Sequence, residues 1–210
     1  MPYARLLLSP TVLANAVTEF GAYWGLSLLI AWFPPYLIAG LGVPDSTAHA
    51  IAAVPWAVNA ACIIGLSWYS QRLLNRGVSS RMARGVLGAG SVFVGGLALV
   101  AMPYVDGLWL KVLIVTIGIS IPSVIYVLGP AVISEITPVA QRGGLLAINN
   151  ATVTSAGLVA PYLTGSVIQS AATQAEGYVQ GFFICGVITL VAGLIGMLFI
   201  RPEADLRRFE

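Results

Sequence analysis

Few side chains in this 210-residue chain could do chemistry, and nearly all of them interrupt long apolar stretches. Asn59, Asn149 and Asn150 are amides inside such stretches, and Tyr23, Trp24 and Tyr126 are aromatics with polar handles. Polar groups buried among apolar helices need a reason. Here the asparagines could hydrogen-bond the hydroxyls or carboxylate of a small solute, with the aromatics as cavity walls. Equally, the asparagines could bridge helices and the aromatics fill the bundle. Glu19 is the one acid within reach of an apolar interior, four to five residues into its expected helix. It could carry a proton, or sit at the surface as a first-turn Glu that the helix dipole favours. Glu135, Arg142, Arg72 and Arg76 cluster at helix ends, where acid–base pairs form and break.

Covalent chemistry finds no support. The lone histidine, His49, has no Gly-Xaa-Ser-Gly sequence to serve, and Lys111, the only lysine, lies in no phosphate-cradling glycine loop. Cys62 and Cys185 each sit mid-stretch, which is neither a disulfide framework nor a metal site. The expectation is no enzyme, no cofactor and no bound metal. A net charge of +2 gives no reason to expect nucleic acid.

The elements that must position these groups follow from composition. The chain is 58% hydrophobic and 9% charged, with a mean hydropathy of +0.91. A soluble domain carries about 25% charged residues, so the solvent is lipid. Six stretches lack Asp, Glu, Lys and Arg: 20–44, 46–71, 85–105, 112–134, 143–175 and 177–200. Each reaches the roughly 20 residues that cross the hydrocarbon core as helix. The expected architecture is all-α and integral to the membrane, one domain over 1–210, with spans near 13–38, 49–70, 83–103, 109–134, 143–168 and 178–200. Nine of the ten basic residues fall on one side when the termini are cytoplasmic, and only Lys111 falls on the other. Trp32, Tyr36, Tyr104, Trp109 and Tyr178 then mark the outer interface, and Trp68 and Tyr69 the inner one. Ser9-Pro10 interrupts the first apolar run, so no cleaved leader is expected.

Small residues and prolines say which helices touch and which are weakened. Ala53, Ala57, Ala61 and Gly65 form a ridge on the second helix, and Gly21 and Gly25 a shorter one on the first. Such ridges let backbones approach where lipid offers no hydrophobic drive. Asn150, Thr154, Gly157, Pro161 and Gly165 form one stripe on the fifth helix, where Pro161 is expected to loosen the backbone. Pro122, Gly129 and Pro130 weaken the fourth helix. Irregular helix at membrane depth belongs beside protein or a wet cavity, so the first, fourth and fifth helices are the expected cavity liners.

Three places carry a family resemblance. They are Trp32-Phe33-Pro34-Pro35-Tyr36-Leu37, Ser70-Gln71-Arg72-Leu73-Leu74-Asn75-Arg76-Gly77, and the series from Glu135 through Pro138, Arg142 and Gly143 to Gly157, Pro161 and Gly165. In this order they resemble the second half of the anion:cation symporter branch of the major facilitator superfamily, from Leu6 to Phe209. The resemblance implies six helices forming one half of a twelve-helix fold, built as 3+3 inverted repeats. By eye, no repeat links the first three helices to the last three. The implied activity is movement of a small organic anion, a sugar acid or other carboxylate, by proton symport across the plasma (inner) membrane with alternating access.

The implied partners are the bilayer, the anion, the proton, and an N-terminal six-helix half missing from this chain or a second copy of it. The family's coupling carboxylates and anion-binding Arg usually lie in that first half, and no basic residue here sits deep in a span. A homodimer, a structural membrane subunit and a channel stay open as alternatives. A channel would show a charged ring or re-entrant loop, and neither is evident. The family's Gly and Asp after the second helix are replaced by Ser67 and Gln71, which weakens the latch they form, although Arg72 and Arg76 remain. Glu135 is disfavoured by the dipole at its helix C-terminus, so a gate partner is expected, with Arg142 or Arg72 nearest in the topology.

Overall fold

The computed structural model describes residues 2–209, which are helical apart from short links. A short helix α1 (Tyr3–Leu7) precedes α2 (Pro10–Ala31), which bends by 52° into Phe33–Gly40. Then come α3 (Asp45–Asn75), α4 (Arg81–Tyr104), α5 (Leu108–Ile136), α6 (Val139–Ser170) and α7 (Gln174–Phe199), all long and apolar enough to cross a membrane. Among the described residues there are thus five such helices, or six with the bent α2 segment counted as one span. A last helix, α8 (Pro202–Phe209), lies at the end of the bundle that also carries α1.

Ser9-Pro10 starts a helix; it does not merely interrupt an apolar run. Ser9 Oγ accepts the Val12 N–H at 3.3 Å, and Pro10 takes the first helical position, where its missing N–H costs nothing. Glu19 therefore lies nine residues past the start, about 14 Å along the axis, and not in the first turn. The bend at Trp32 has a local cause. Pro34 and Pro35 can return no hydrogen bond to the preceding turn, and Phe33–Gly40 resumes through a wider π-type turn at Tyr36–Gly40.

The centre of the bundle is α7, packed chiefly on α4 and α2. The α4–α7 crossing is glycine-mediated: a Cβ at Gly96 would lie 2.3 Å from Leu190 N, and one at Gly193 would lie 2.4 Å from Phe93 N. This is the close small-residue contact of the fold, and Gly21 adds another against Ala192 on α7. The ridge Ala53, Ala57, Ala61 and Gly65 on α3 is exposed, and nothing stands within 4 Å of a Cβ at Gly65. Only 11% of the most apolar stretch of α3 and 28% of that of α6 is buried, against 72% for α5. These two helices present open faces.

Tyr36 and Tyr178 are buried within the bundle, with the Tyr36 ring tilted against those of Tyr178 and Phe182 at ring separations of 5.5 and 5.6 Å. Tyr104, Trp109, Trp68 and Tyr69 are exposed.

Pro122 interrupts the helix where it sits, opening the 3-10 turn Pro122–Val124, whereas Pro130 and Pro161 do not. Pro130 and Pro161 lie inside regular helix, Ile125–Ile136 and Ala156–Ser170, and do not break it. The irregularities are a tight 3-10 turn at Pro122–Val124 and an interruption at Ser155, each ending six residues before the following proline. A proline ring pushes on the carbonyl four residues earlier, and the helix yields in the turn before that carbonyl. Gly157 is likewise not a break. It is where α6 meets Tyr23, whose Cε1 would lie 3.2 Å from a Cβ there.

Candidate functional site

Glu19 is 3% exposed and sits where α2, α5 and α6 converge. Its Oε1 accepts from Asn15 Nδ2 at 2.9 Å, one turn back on α2. Its Oε2 accepts from Asn149 Nδ2 at 2.7 Å, across the gap to α6. The third wall is Gly129 on α5: a Cβ there would lie 1.9 Å from Glu19 Oε1 and 2.8 Å from Asn15 Oδ1. Glycine at 129 is therefore what makes room for the carboxylate. The two asparagine carbonyl oxygens, Asn15 Oδ1 and Asn149 Oδ1, are buried without a donor. Asn15 and Gly129 as members of this group escaped the sequence reading. The available signal was an Asn and a Glu at i and i+4, which share a helix face.

Two more of the expected site residues join this group from beside it. Tyr23 and Tyr126 are half-buried and meet edge to face at 6.2 Å, with Gly157 against Tyr23. The others are elsewhere. Asn150, next to Asn149 and 100° further round α6, is exposed on the open face. Trp24 turns away from Tyr23 into an apolar groove of about 510 Å³ with Thr164, Gly181 and Ile184, its Nε1 unpartnered. Asn59 is half-buried on α3, which packs on α5 through a hydrogen bond from Ser120 Oγ to the Pro55 carbonyl, and it takes no part in the Glu19 hydrogen bonds.

The expected gate is re-partnered. Glu135 pairs with Arg84 Nη1 at 2.9 Å and accepts from Ser80 Oγ at 2.5 Å, and neither Arg142 nor Arg72 is its partner. The reason is tertiary: the first turn of α4 packs on the end of α5 and brings Ser80 and Arg84 to Glu135. Arg72 lies over the Trp68 ring at 5.2 Å, one turn away on its own helix, and Arg76 is exposed at the end of α3. Gln71, in place of the latch carboxylate, donates to Asn75 Oδ1 on the same helix at 3.1 Å. Arg142 is half-buried, with its Nε unpartnered.

The carboxylates that cap neighbouring helices come from α8. Asp205 accepts the Thr11 N–H at 3.1 Å and Glu203 accepts the Arg81 N–H at 3.0 Å, at the starts of α2 and α4. Reading the sequence as spans treated this segment as a tail and missed both contacts.

The chain resembles known proteins along nearly its whole length. It is 26% identical to the probable anion transporter 4, chloroplastic, of Arabidopsis thaliana, over 100% of this chain and 38% of that protein. It is 25% identical to the hexuronate transporter of Bacillus subtilis (strain 168), over 96% of this chain and 47% of that protein. It thus spans less than half the length of either curated relative. In structure it is similar to the xylose transporter of E. coli in its inward-open conformation. The TM-score is 0.66 at 15% identity, covering 94% of this chain and 52% of that one, a likeness of fold alone. The sequence profile of the Major Facilitator Superfamily matches residues 16–210. With its long apolar helices, this identifies the chain as a multi-pass membrane protein that belongs to the Major Facilitator Superfamily.

Proposed function

We propose that this chain is the C-terminal half of a secondary active transporter, not an enzyme. It moves a small organic anion, a sugar acid or other carboxylate, by proton symport with alternating access. It works in the plasma membrane with both termini cytoplasmic, as one half of the 3+3 inverted-repeat fold. The observation that carries the reading is the buried carboxylate of Glu19, held between a helix bent at Trp32 and the interrupted helix α6 by Asn149. An ionisable group at that depth is costly unless it is used. Protonation of Glu19 removes its charge and weakens its hold on both amides, which changes how α2 and α6 are joined.

Tyr23, Tyr126 and Asn150 contribute the walls and amide of the solute cavity, and Asn149 reaches it through Glu19. Arg84 and Glu135 form the gate at the terminal end. The open faces of α3 and α6 receive an N-terminal six-helix half. A second copy of this chain is the runner-up occupant, because the same two faces would be open in it. The names of the curated relatives favour an anionic solute.

The test is counterflow. The chain, with a six-helix first half, is reconstituted in vesicles preloaded with unlabelled glucuronate. Labelled glucuronate should accumulate transiently above equilibrium, and Glu19→Gln should uncouple it from the proton gradient while exchange survives. Flux that never exceeds equilibrium would make this a channel. No flux with any first half would make it a structural subunit.

A further inference from the structure

The Glu19 group contains more oxygen than its hydrogen bonds use. Asn15, Glu19 and Asn149 are 0%, 3% and 5% exposed, and together carry four side-chain oxygens. The two carboxylate oxygens each accept one amide N–H, while Asn15 Oδ1 and Asn149 Oδ1 have no donor. A buried acceptor left bare is costly, and both amides that donate to Glu19 carry one. The hydrogen-bond partners of the carboxylate are both neutral, so nothing in direct contact balances its charge. A proton on Glu19 would donate to one of the bare oxygens and leave the other unsatisfied.

We propose that Asn15, Glu19 and Asn149 form a site for a dehydrated monovalent metal cation, with sodium as its ion. An asparagine side chain exchanges its oxygen for its nitrogen by a half-turn of the amide, with little other movement. If both amides turn, their oxygens face the carboxylate oxygens, and an ion between them has four ligands from α2 and α6. All four are hard oxygen donors without sulfur or imidazole, the set that suits main-group cations over transition metals. Among the described residues no three His, Cys, Asp or Glu side chains gather anywhere. The single carboxylate sets the valence: one positive charge neutralises the site, whereas a divalent ion leaves an unbalanced charge among apolar helices.

Size follows from Gly129, since the space on that side is less than one methyl carbon needs. Pro130, the next residue, has no N–H for the Tyr126 carbonyl one turn earlier, so α5 carries a carbonyl without its usual helical donor. Discontinuous helices and freed carbonyls are how membrane carriers commonly hold sodium. The site rests on this geometry alone. Its use as a coupling site rests on the transport reading above, with sodium competing against the proton for the same carboxylate, so the test reads binding and not transport.

The purified chain in nanodiscs is heated at fixed pH and ionic strength, with choline chloride replaced stepwise by sodium, lithium or potassium chloride. Sodium should raise Tm with the logarithm of its concentration above Kd, by roughly 5 °C at a hundred-fold excess, while potassium should match choline. Glu19→Gln and Asn149→Leu should abolish the sodium effect, and Leu158→Ala, at an exposed position of the same helix, should retain it. Because Glu19→Gln could fail to fold, radioactive sodium binding to the unmodified chain is measured in parallel. Displacement by unlabelled sodium and not by potassium supports the site. Equal responses to sodium, potassium and choline, no displaceable sodium binding, or a full sodium effect in Glu19→Gln each overturn it.

Discussion

Asp205, three residues into the last helix, accepts the backbone N–H of Thr11 at 3.1 Å, across 194 positions of sequence. Arg201 N in turn donates to Thr11 Oγ1 at 3.0 Å, so the start of α2 is held twice from the same segment. The unpaired N–H groups and positive dipole of a helix N-terminus make it a natural seat for a carboxylate. Glu203 does the same at the start of α4. The terminal helix is thus a strap across the starts of two long helices.

Removing either carboxylate should loosen one helix start and leave the other. Asp205→Ala is expected to destabilise the chain by about 1 kcal/mol, the usual worth of a cap, and to speed amide exchange at Thr11. Glu203→Ala should speed exchange at Arg81 and leave Thr11 unchanged. Exchange rising at both positions in either variant would mean that α8 detaches as a unit.

The partner of Glu135 can be identified by double-mutant cycles. Arg84 and Glu135 are each about a quarter exposed (25% and 27%). Solvent screening there limits their coupling to roughly 0.5–1 kcal/mol. Thermal stability of Arg84→Met, Glu135→Gln and the double variant should show that coupling. The corresponding cycle of Arg142→Gln with Glu135→Gln should show none.

Gly129→Ala should be among the most damaging small changes in the chain, because the added carbon falls 1.9 Å from Glu19 Oε1. Overpacking of this kind costs about 1–3 kcal/mol or more. Glu19→Asp, which withdraws the carboxylate by one methylene, should recover part of the lost Tm when combined with Gly129→Ala. No recovery would place the clash elsewhere.

The adjacent asparagines should behave differently. Asn149→Leu removes the donor to Glu19 Oε2, and a buried charged acceptor left bare costs upwards of about 1–3 kcal/mol. Asn150→Leu, on an exposed position, should stay within about 0.5 kcal/mol of the parent. Thermal melts of the two variants are a direct comparison.

Ala57 lies in the exposed ridge of α3. Ala57→Trp should leave the melting of the isolated chain unchanged, because nothing within the chain packs there. In the assembled transporter it should abolish flux, since a bulky side chain keeps the partner helix away. Unimpaired flux would mean that this ridge faces lipid.

The solvent and the secondary structure were legible in the sequence because they depend on quantities a window of residues contains. Long apolar stretches with charges confined to their ends must be helices in lipid, since no other open element satisfies its own backbone there. The weakness of the fourth and fifth long helices was legible for the same reason, because a proline acts on its own chain, whereas the expected first span ran straight through the bend at Pro34-Pro35. What faces what was not. In a bilayer the lipid-facing and partner-facing sides of a helix are both apolar, so composition does not mark the buried face. Hence the alanine ridge of α3 read like a packing seam and lies open, while Gly96 and Gly193 form a close crossing.

The site divides along the same line. Glu19 stood out by charge alone, but its depth depended on Ser9-Pro10 being a helix start, and its partners depended on helix phase and on which helix arrives beside it. Asn149 and Asn150 are equivalent in sequence, and 100° of helical rotation separates the one that binds Glu19 from the one that does not. Gly129 has meaning only through the carboxylate opposite it, and Arg84 only through Glu135, 51 residues on. Those pairings are non-local, and only the packed bundle decided them.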